Sequence, residues 1–301
     1  MSLNPKEDRV HFGADETTIP LKKNYLYEVD SIVKTPVIYK DGRSATKFQK
    51  TIFGSVVFEN PKDHQVISEI ISYCCKPGGI VLDFFAGSGT TGHAAWLSSI
   101  SGVNFRFILV QLPEKLDPEK KQHKNACALG FKKISDVTIE RLKRTGDLLK
   151  SDAPEELDFG FKVFELSSSN VRSWSPDKKN LEETLLSQKE SLVEGRSEQD
   201  VLYELLLKRG IDLATPIETR TLAGKTVYCI GGGVIFACLS PSLISNDIET
   251  LAQGILGWHS ELDPETDTHV FFRDGAFPDD IVKTNLAAIL EQNGISHVRS
   301  L

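Results

Sequence analysis

The residues best suited to chemistry lie in one short stretch, from Asp83 to Thr91. Asp83 is followed by Phe84, Phe85 and Ala86, and then by Gly87-Ser88-Gly89-Thr90-Thr91. The apolar residues 80–82 before it predict a buried strand, and residues 92–97 predict the start of a helix. A glycine turn between a strand and a helix presents backbone N–H groups and the positive end of the helix dipole to a ligand. The pattern therefore predicts a cofactor site.

The carboxyl group of Asp83 narrows the class of cofactor. Residues 87–92 fit the G-x-G-x-x-G pattern of dinucleotide sites, in which an acidic residue about 20 positions later holds a ribose. Gln111 stands near that position and Glu114 lies just beyond it. A carboxylate beside the turn repels phosphates and suits a cofactor with a positive centre and an ammonium group, such as S-adenosylmethionine. Thr90 and Thr91 would then donate to the cofactor's carboxylate. The simpler alternative is that Asp83 only caps the turn.

A second segment, Asn60-Pro61-Lys62, supports the same site. It precedes apolar residues at helical spacing, at positions 66, 67, 70, 71 and 74. Pro61 is interpreted as a first-turn proline and Asn60 as the helix cap before it. Lys62 would then lie near the glycine turn and pair with a carboxylate. The alternative is an ordinary solvated lysine at a helix start.

Successive motifs resemble those of DNA amino-methyltransferases, most closely the modification subunits of type III restriction–modification systems. The motifs are residues 58–62 (FENPK), 81–91 (VLDFFAGSGTT) and 107–114 (FILVQLPE), then Ile134-Ser135-Asp136 with Glu140-Arg141, residues 160–166 with Trp174, Leu207-Lys208-Arg209-Gly210 and Asp274-Gly275-Ala276-Phe277. Upstream, Pro20, Lys23 and residues 25–28 resemble the segment that links target recognition to the cofactor motifs. The resemblance covers nearly the whole chain and is looser after about residue 180.

The resemblance implies an α/β fold, with an incomplete doubly wound, Rossmann-like methyltransferase sheet and a second, smaller α/β domain. It implies transfer of a methyl group from S-adenosylmethionine to adenine N6 in double-stranded DNA. It also implies a restriction (helicase–nuclease) subunit as partner and self-association of the modification subunit. The implied cofactor-binding residues are Asn60, Pro61, Lys62, Asp83, Phe84, Phe85, Ala86, Gly87, Ser88, Gly89, Thr90, Thr91, Gln111 and Glu114.

The family's catalytic motif, an acidic or polar residue followed by Pro-Pro and an aromatic residue, stacks the flipped base. These 301 residues contain no Pro-Pro pair. We therefore expect the motif to lie upstream of residue 1, and we assign no catalytic residue to this chain. The chain alone is expected to transfer no methyl groups. Two departures in the cofactor motifs are Asp63, where the family often has a second proline, and Gln111, where an acid is common.

Composition and charge set the remaining expectations. The chain has a net charge of −7, and residues 151–301 hold 25 acidic against 13 basic residues, so DNA contacts are expected in the first half or upstream. Five cysteines without a C-x-x-C pair indicate neither a disulfide framework nor a metal site. No apolar run approaches the ~18 residues of a membrane span and no signal peptide is evident, so we expect the protein in the cytoplasm.

The chain is predicted to have three parts. Residues 1–50 form an irregular arm, residues 51–170 bind S-adenosylmethionine, and residues 171–301 form an α/β domain with an assembly role. Residues 161–166 alternate like a strand, residues 175–200 contain a helical pattern, and Gly231-Gly232-Gly233 predicts a hairpin turn. Two alternatives stay open: a non-catalytic module for cofactor binding or subunit assembly, and a nicotinamide-dependent oxidoreductase.

Overall fold

The computed structural model describes residues 10–11, 14–17, 19, 21–23, 25, 35–151, 153–171 and 192–301. The chain divides into two compact units, Met1–Phe161 and Lys162–Leu301. The mixed α/β class is confirmed. The three-part division with its functional roles stays a prediction. Pro20, residues 26–28, Trp174 and residues 175–191 of the predicted helical pattern lie outside the described residues.

The first unit is built around one strand–helix–strand motif. Its described elements are β1 (Val10–His11), β2 (Leu21–Lys22), α1 (Ser44–Phe53), α2 (His64–Cys74), β3 (Ile80–Asp83), α3 (Thr90–Ile100), β4 (Arg106–Leu109), α4 (Lys124–Ala128) and α5 (Ile134–Lys150). β1 and β2 pair antiparallel, whereas β3 and β4 pair parallel, with Leu82 beside Ile108. A parallel pair needs a crossover connection, and α3 supplies it.

Alternation along β3 and β4 gives their sheet one covered face. Val81 and Phe107 pack with a cluster that includes Ile71 of α2 and Ala94 and Ala95 of α3. The side chains between them point the other way, and Leu82 and Ile108 are 49% and 50% exposed. A second cluster joins Trp96 of α3 to Leu142 of α5 and to Phe159. The helices therefore hold the sheet from one side and bring α5 close to α3.

Two local expectations, one in this unit and one where it ends, are wrong. Helix α2 begins at His64, and its N-cap is Asp63, whose carboxylate accepts from the backbone N–H groups of Gln65 and Val66. Asn60 therefore does not cap α2 and Pro61 is not in its first turn, because a carboxylate closer to the helix takes that role. Residues 161–166 form no strand among the described residues, although Phe161 packs beside Trp96.

The second unit is a five-stranded mixed sheet flanked by helices. Its described elements are α6 (Glu198–Lys208), β5 (Ile217–Leu222), β6 (Lys225–Ile230), β7 (Ile235–Cys238), α7 (Ser245–Leu262), β8 (His269–Phe272), a 3₁₀ turn (Asp274–Ala276), α8 (Asp280–Gln292) and β9 (His297–Ser300). The strand order is β5-β6-β7-β8-β9, antiparallel up to β7 and parallel from β7 onward. The predicted hairpin at Gly231–Gly233 is confirmed. Asp279 is the N-cap of α8, and its carboxylate accepts from the backbone N–H of Val282.

The side chains of β7 pack on both faces of this sheet. Phe236 and Cys238 face a core cluster with residues of α7 and α8, and Ile235 and Ala237 face a second cluster with residues of α6. All four are buried, so both faces of the sheet are covered. No helix in the described part of the chain is long and apolar enough to cross a membrane.

Candidate functional site

The glycine turn after β3 has a backbone that only glycine adopts readily. Gly87 has φ +53° and Gly89 has φ +77°, both in the left-handed region. A Cβ on Gly87 would lie 3.0 Å from Cζ of Phe58, and one on Gly89 would lie 3.1 Å from Cγ2 of Thr138. Gly89 is the N-cap of α3, so the turn leads directly into the helix N-terminus. Gly92 packs against Leu142 and Leu109, which explains the third glycine of the pattern.

Asp83 is fixed by the turn that it precedes. Its Oδ1 accepts from the backbone N–H of Phe85 at 2.9 Å, and its Oδ2 accepts from the Thr91 hydroxyl at 2.6 Å. The ladder continues beyond β3, since the N–H of Ala86 donates to the carbonyl of Val110. The capping role proposed as the simpler alternative is therefore present. It does not exclude a ligand, because each carboxylate oxygen keeps a second lone pair.

Gln111 is also engaged by the turn. Its Oε1 accepts from the N–H of Gly87 at 2.8 Å, and its Nε2 donates to the carbonyl of Leu112 at 3.2 Å. Its side chain thus ties the end of β4 to the turn. The side chain of Glu114 is exposed, whereas its backbone carbonyl accepts from the N–H of Ile134. A ribose-binding role for either residue stays a prediction.

The segment before α2 is held beside the turn by a buried glutamine. Gln49 of α1 donates to the carbonyl of Phe58 and accepts from the N–H groups of Val57 and Phe58, at 2.9–3.0 Å. Phe58 in turn lies against Gly87. Asn60, Pro61 and Lys62 follow within four residues of Phe58, and Asn60 and Lys62 are exposed. Asn60 has φ +53°, a conformation that asparagine tolerates better than most residues.

Helix α5 braces the turn from behind. The Thr138 hydroxyl donates to the carbonyl of Gly87 at 2.5 Å. Nη1 of Arg141 donates to the hydroxyl oxygens of Ser88 at 2.8 Å and Thr90 at 2.7 Å. Thr90 and Thr91, predicted to hold the cofactor's carboxylate, are therefore already bonded to Arg141 and Asp83 within the protein. Phe84 and Phe85, predicted to line the cofactor cavity, are 64% and 86% exposed.

A buried aromatic and basic cluster surrounds the guanidinium of Arg141. The rings of His64 and His93 stack at 4.3 Å, Phe48 packs on both, and Arg141 lies 5.8 Å from the Phe48 ring. Burial, with the neighbouring positive charge of Arg141, lowers the pKa of His64 to about 4. Burial, with His64 and Arg141 nearby, lowers the pKa of His93 to about 2. Both imidazoles are therefore neutral at pH 7.

Asp63 links this cluster to the start of α2. Burial alone would raise the pKa of the Asp63 carboxyl, but hydrogen bonds from Ser44 and Lys40 lower it below its usual value. Lys40 lies 2.9 Å from the Asp63 carboxylate. Asp63 is thus charged and paired with Lys40.

Three supporting residues, Gln49, Thr138 and Arg141, were not among the predicted site residues. A signal for two of them is present in the sequence. On α5, positions 137, 138, 141, 142 and 145 form one helical stripe, and the structure buries all of them. Polar residues at 138, 141 and 145 on an otherwise apolar stripe indicate side chains that need partners inside the fold. Gln49 carries no comparable signal.

Comparison with known proteins finds one matching family model and several relatives. Residues 15–103 match a family model described as DNA methylase (N6_N4_Mtase). The Type III restriction-modification enzyme EcoP15I Mod subunit of Escherichia coli is 31% identical over 258 residues, which cover 83% of this chain and 37% of that protein. The EcoPI Mod subunit of Escherichia phage P1 is 27% identical over 216 residues, covering 70% and 31%.

A further relative, matched over a shorter stretch, belongs to a different class of modification enzyme. The Type II methyltransferase M.KpnI of Klebsiella pneumoniae is 47% identical over 104 residues, which cover 34% of this chain and 24% of that protein. The chain therefore spans about a quarter to somewhat over a third of the length of these relatives. Residues 15–103 carry a DNA methylase segment, and the chain is related to the modification subunits of type III restriction–modification systems, which confirms the resemblance inferred from the sequence.

Proposed function

We propose that the turn of residues 83–91 binds S-adenosylmethionine. The observation that carries this proposal is the fixed carboxylate of Asp83 beside two left-handed glycines and the N-terminus of α3. A carboxylate attracts the ammonium group of the cofactor, and a helix N-terminus attracts its carboxylate. The two ends of one zwitterionic amino acid thus find opposite charges within a single turn.

The other predicted residues fit around this arrangement. The exposed rings of Phe84 and Phe85 offer apolar surface beside the turn, and the exposed Lys62 supplies a positive charge on the segment held by Gln49. Gly87 and Gly89 supply the left-handed backbone of the turn, and Ala86, directly before it, belongs to the same proposed set. Asn60, Pro61, Ser88, Thr90, Thr91, Gln111 and Glu114 complete the proposed cofactor-binding set.

We further propose that this chain is part of an enzyme that methylates adenine N6 in DNA within a type III restriction–modification system. The similarity to two type III Mod subunits over most of the chain supports this assignment. Double-stranded DNA, a restriction subunit and a second modification subunit are the proposed partners, and the cytoplasm is the proposed location. The methyltransferase sheet is proposed to be doubly wound, with β3-α3-β4 as one of its crossovers.

Calorimetry tests the cofactor proposal directly. We expect the purified chain to bind S-adenosylmethionine and not NAD. Asp83→Asn removes the negative charge while an amide oxygen can still accept from Phe85, so we expect a loss of about tenfold or more in affinity. Asp158→Asn is the matched control, because Asp158 makes the same type of turn bond, to the N–H of Gly160. Binding of NAD in preference would instead support the oxidoreductase alternative.

A further inference from the structure

Arg141 carries a positive charge that no acidic side chain in the described part of the molecule balances. It is 1% exposed, and burial lowers its pKa only to about 10, so it stays charged at pH 7. Its polar contacts are the hydroxyls of Ser88 and Thr90, and its Nε has no hydrogen-bond partner. The neighbouring histidines, His64 and His93, are neutral. A buried charge of this kind favours an anion nearby, because its own desolvation is otherwise uncompensated.

The hydroxyls of Ser88 and Thr90 are oriented by this contact. Each oxygen accepts a hydrogen bond from Arg141, so each hydroxyl hydrogen must point away from the guanidinium. The two oxygens lie 3.4 Å apart, and either one can be the donor to the other. That contact uses one of the two hydrogens and leaves the other for a further acceptor. The pair therefore offers one hydroxyl donor at the first turn of α3, beside the backbone N–H groups of the helix N-terminus.

We propose that Arg141 is a positioning residue for the carboxylate of the methyl donor. Its guanidinium orients the Ser88 and Thr90 hydroxyls, and its charge favours a carboxylate bound at the N-terminus of α3. This inference rests on the proposed function, since it assigns one end of the proposed cofactor site. It also explains the bonding of Thr90: the residue can serve the cofactor because Arg141 sets the direction of its hydroxyl.

A role confined to bracing the turn is separable from a role in recognising the carboxylate. Decarboxylated S-adenosylmethionine keeps the adenosine, the sulfonium and the amine but lacks the carboxylate. Arg141→Met removes the guanidinium and keeps an unbranched side chain. Arg144→Met is the matched control: Arg144 lies three residues later on the same helix, its side chain is 40% exposed, and it bonds Glu140 and the carbonyl of Ile52 rather than the turn.

The experiment measures the affinity of both ligands for the full chain and the two variants by calorimetry. We expect Arg141→Met to weaken S-adenosylmethionine binding about tenfold or more and to change binding of the decarboxylated ligand less than about threefold. Arg144→Met is expected to change neither. An equal loss for both ligands, or no loss for either, would overturn the inference while leaving the proposed function intact.

A second variant keeps the test decisive if Arg141→Met does not fold. Thr90→Val with Ser88→Ala retains Arg141 and removes both hydroxyls, so we expect the same selective loss for S-adenosylmethionine. An equal loss for the two ligands in this variant also contradicts the inference. If the unaltered chain binds no S-adenosylmethionine, the proposed function fails first and the inference fails with it.

Discussion

The parallel β3–β4 sheet of the first unit and the five-stranded sheet of the second unit differ in how their apolar residues are covered. In the second unit, neighbouring residues of β7 enter two different core clusters, and all four residues of the strand are buried. In the first unit, Leu82 and Ile108 lie side by side on one face of the β3–β4 pair and remain half exposed. Parallel strands are normally buried on both faces. We therefore expect the second unit to be stable by itself and the first unit to be less stable by itself.

The proposed cofactor turn belongs to the less covered unit. It is held by hydrogen bonds from α5 and from Gln111, and by the cluster that joins Trp96, Leu142 and Phe159. We therefore expect the two units to respond differently to truncation, substitution and pH. Ligand binding should stabilise the first unit selectively, because a ligand that binds only the folded state adds its binding free energy to that state.

The largest expected difference appears when the units are produced separately. Residues 162–301 alone should unfold cooperatively in urea, because two buried clusters cover the sheet. Residues 1–161 alone should bind the dye ANS strongly and lack a sharp transition, because an apolar sheet face is exposed. Fluorescence of ANS and urea unfolding curves measure both. Cooperative unfolding of residues 1–161 without ANS binding would show that the exposed face has no consequence.

A substitution in the core of the second unit should lower the free energy of unfolding of that unit selectively. Phe236 is fully buried on β7 and packs edge-on against Trp258. Phe236→Ala should lower the free energy of unfolding of this unit by about 3–5 kcal/mol. Hydrogen exchange followed by mass spectrometry should show lost protection in residues 217–300 and unchanged protection in α3 and α5. Equal loss in both units would mean that they unfold together.

The corresponding test in the first unit places a methyl group at Gly92. A Cβ there would lie 2.8 Å from Cδ2 of Leu142 and 3.1 Å from Cδ1 of Leu109. Gly92→Ala should therefore destabilise the first unit by about 1–3 kcal/mol, because overpacking forces α3 away from β4 and α5. Hydrogen exchange of α3 and calorimetry with S-adenosylmethionine measure the effect. Unchanged exchange would show that Leu142 relaxes without cost.

The glycine turn was predictable because local pattern and backbone geometry coincide there. Gly87 and Gly89 have positive φ values that the strand–turn–helix pattern requires. The hairpin at Gly231–Gly233 was predictable for the same reason. The cap of α2 was not predictable in this way. The Asn-Pro pair is a good local signal for a helix start, but the observed cap is Asp63, three residues after Asn60, whose carboxylate also contacts Ser44 and Lys40. Those contacts depend on residues about 20 positions away.

The residues that support the glycine turn could not be predicted from local sequence patterns either. Arg141 meets Ser88 across 53 positions of sequence, and Gln49 holds Phe58 from another helix. A helical stripe with polar residues at 138, 141 and 145 indicates that α5 has inward partners, but only the packing of α5 against α3 identifies them. The strand expected at 161–166 fails because alternation predicts the faces of a strand without supplying a neighbour to pair with.

Mild acid should lower the stability of the first unit more than that of the second. The pKa values of His64 and His93 are about 4 and about 2 in the folded chain and near 6.5 when unfolded. Below pH 6.5 the unfolded state therefore binds more protons, and the first unit loses stability, by on the order of 2–4 kcal/mol at pH 5, with the share of the partly exposed His64 reduced by solvent screening.

The stability of the second unit should change little between pH 7 and pH 5. Hydrogen bonds from Lys208 and Ser169 outweigh burial and lower the pKa of Glu204 to about 2, so its contribution persists until the pH falls below about 4.5. The pKa of His269 is lowered too, by burial and Arg209, but its ring is only partly buried. Urea unfolding with hydrogen exchange at pH 7 and pH 5 measures the difference. His93→Phe should reduce the loss in the first unit, and an unchanged loss would assign it to other groups.

The smallest expected effect is a gain in stability from replacing a helical glycine of the second unit, for comparison with Gly92 of the first. Gly257 lies within α7, is exposed, and has no atom within 4 Å of the position a Cβ would take. Alanine restricts the unfolded chain and favours the helix, so Gly257→Ala should raise the stability of the second unit by about 0.5–1 kcal/mol. Its urea midpoint should rise while that of the first unit stays constant. The same substitution thus has opposite signs at positions 92 and 257, because one glycine is required by packing and the other is not. A loss of stability at Gly257 would show that helix propensity is outweighed there too.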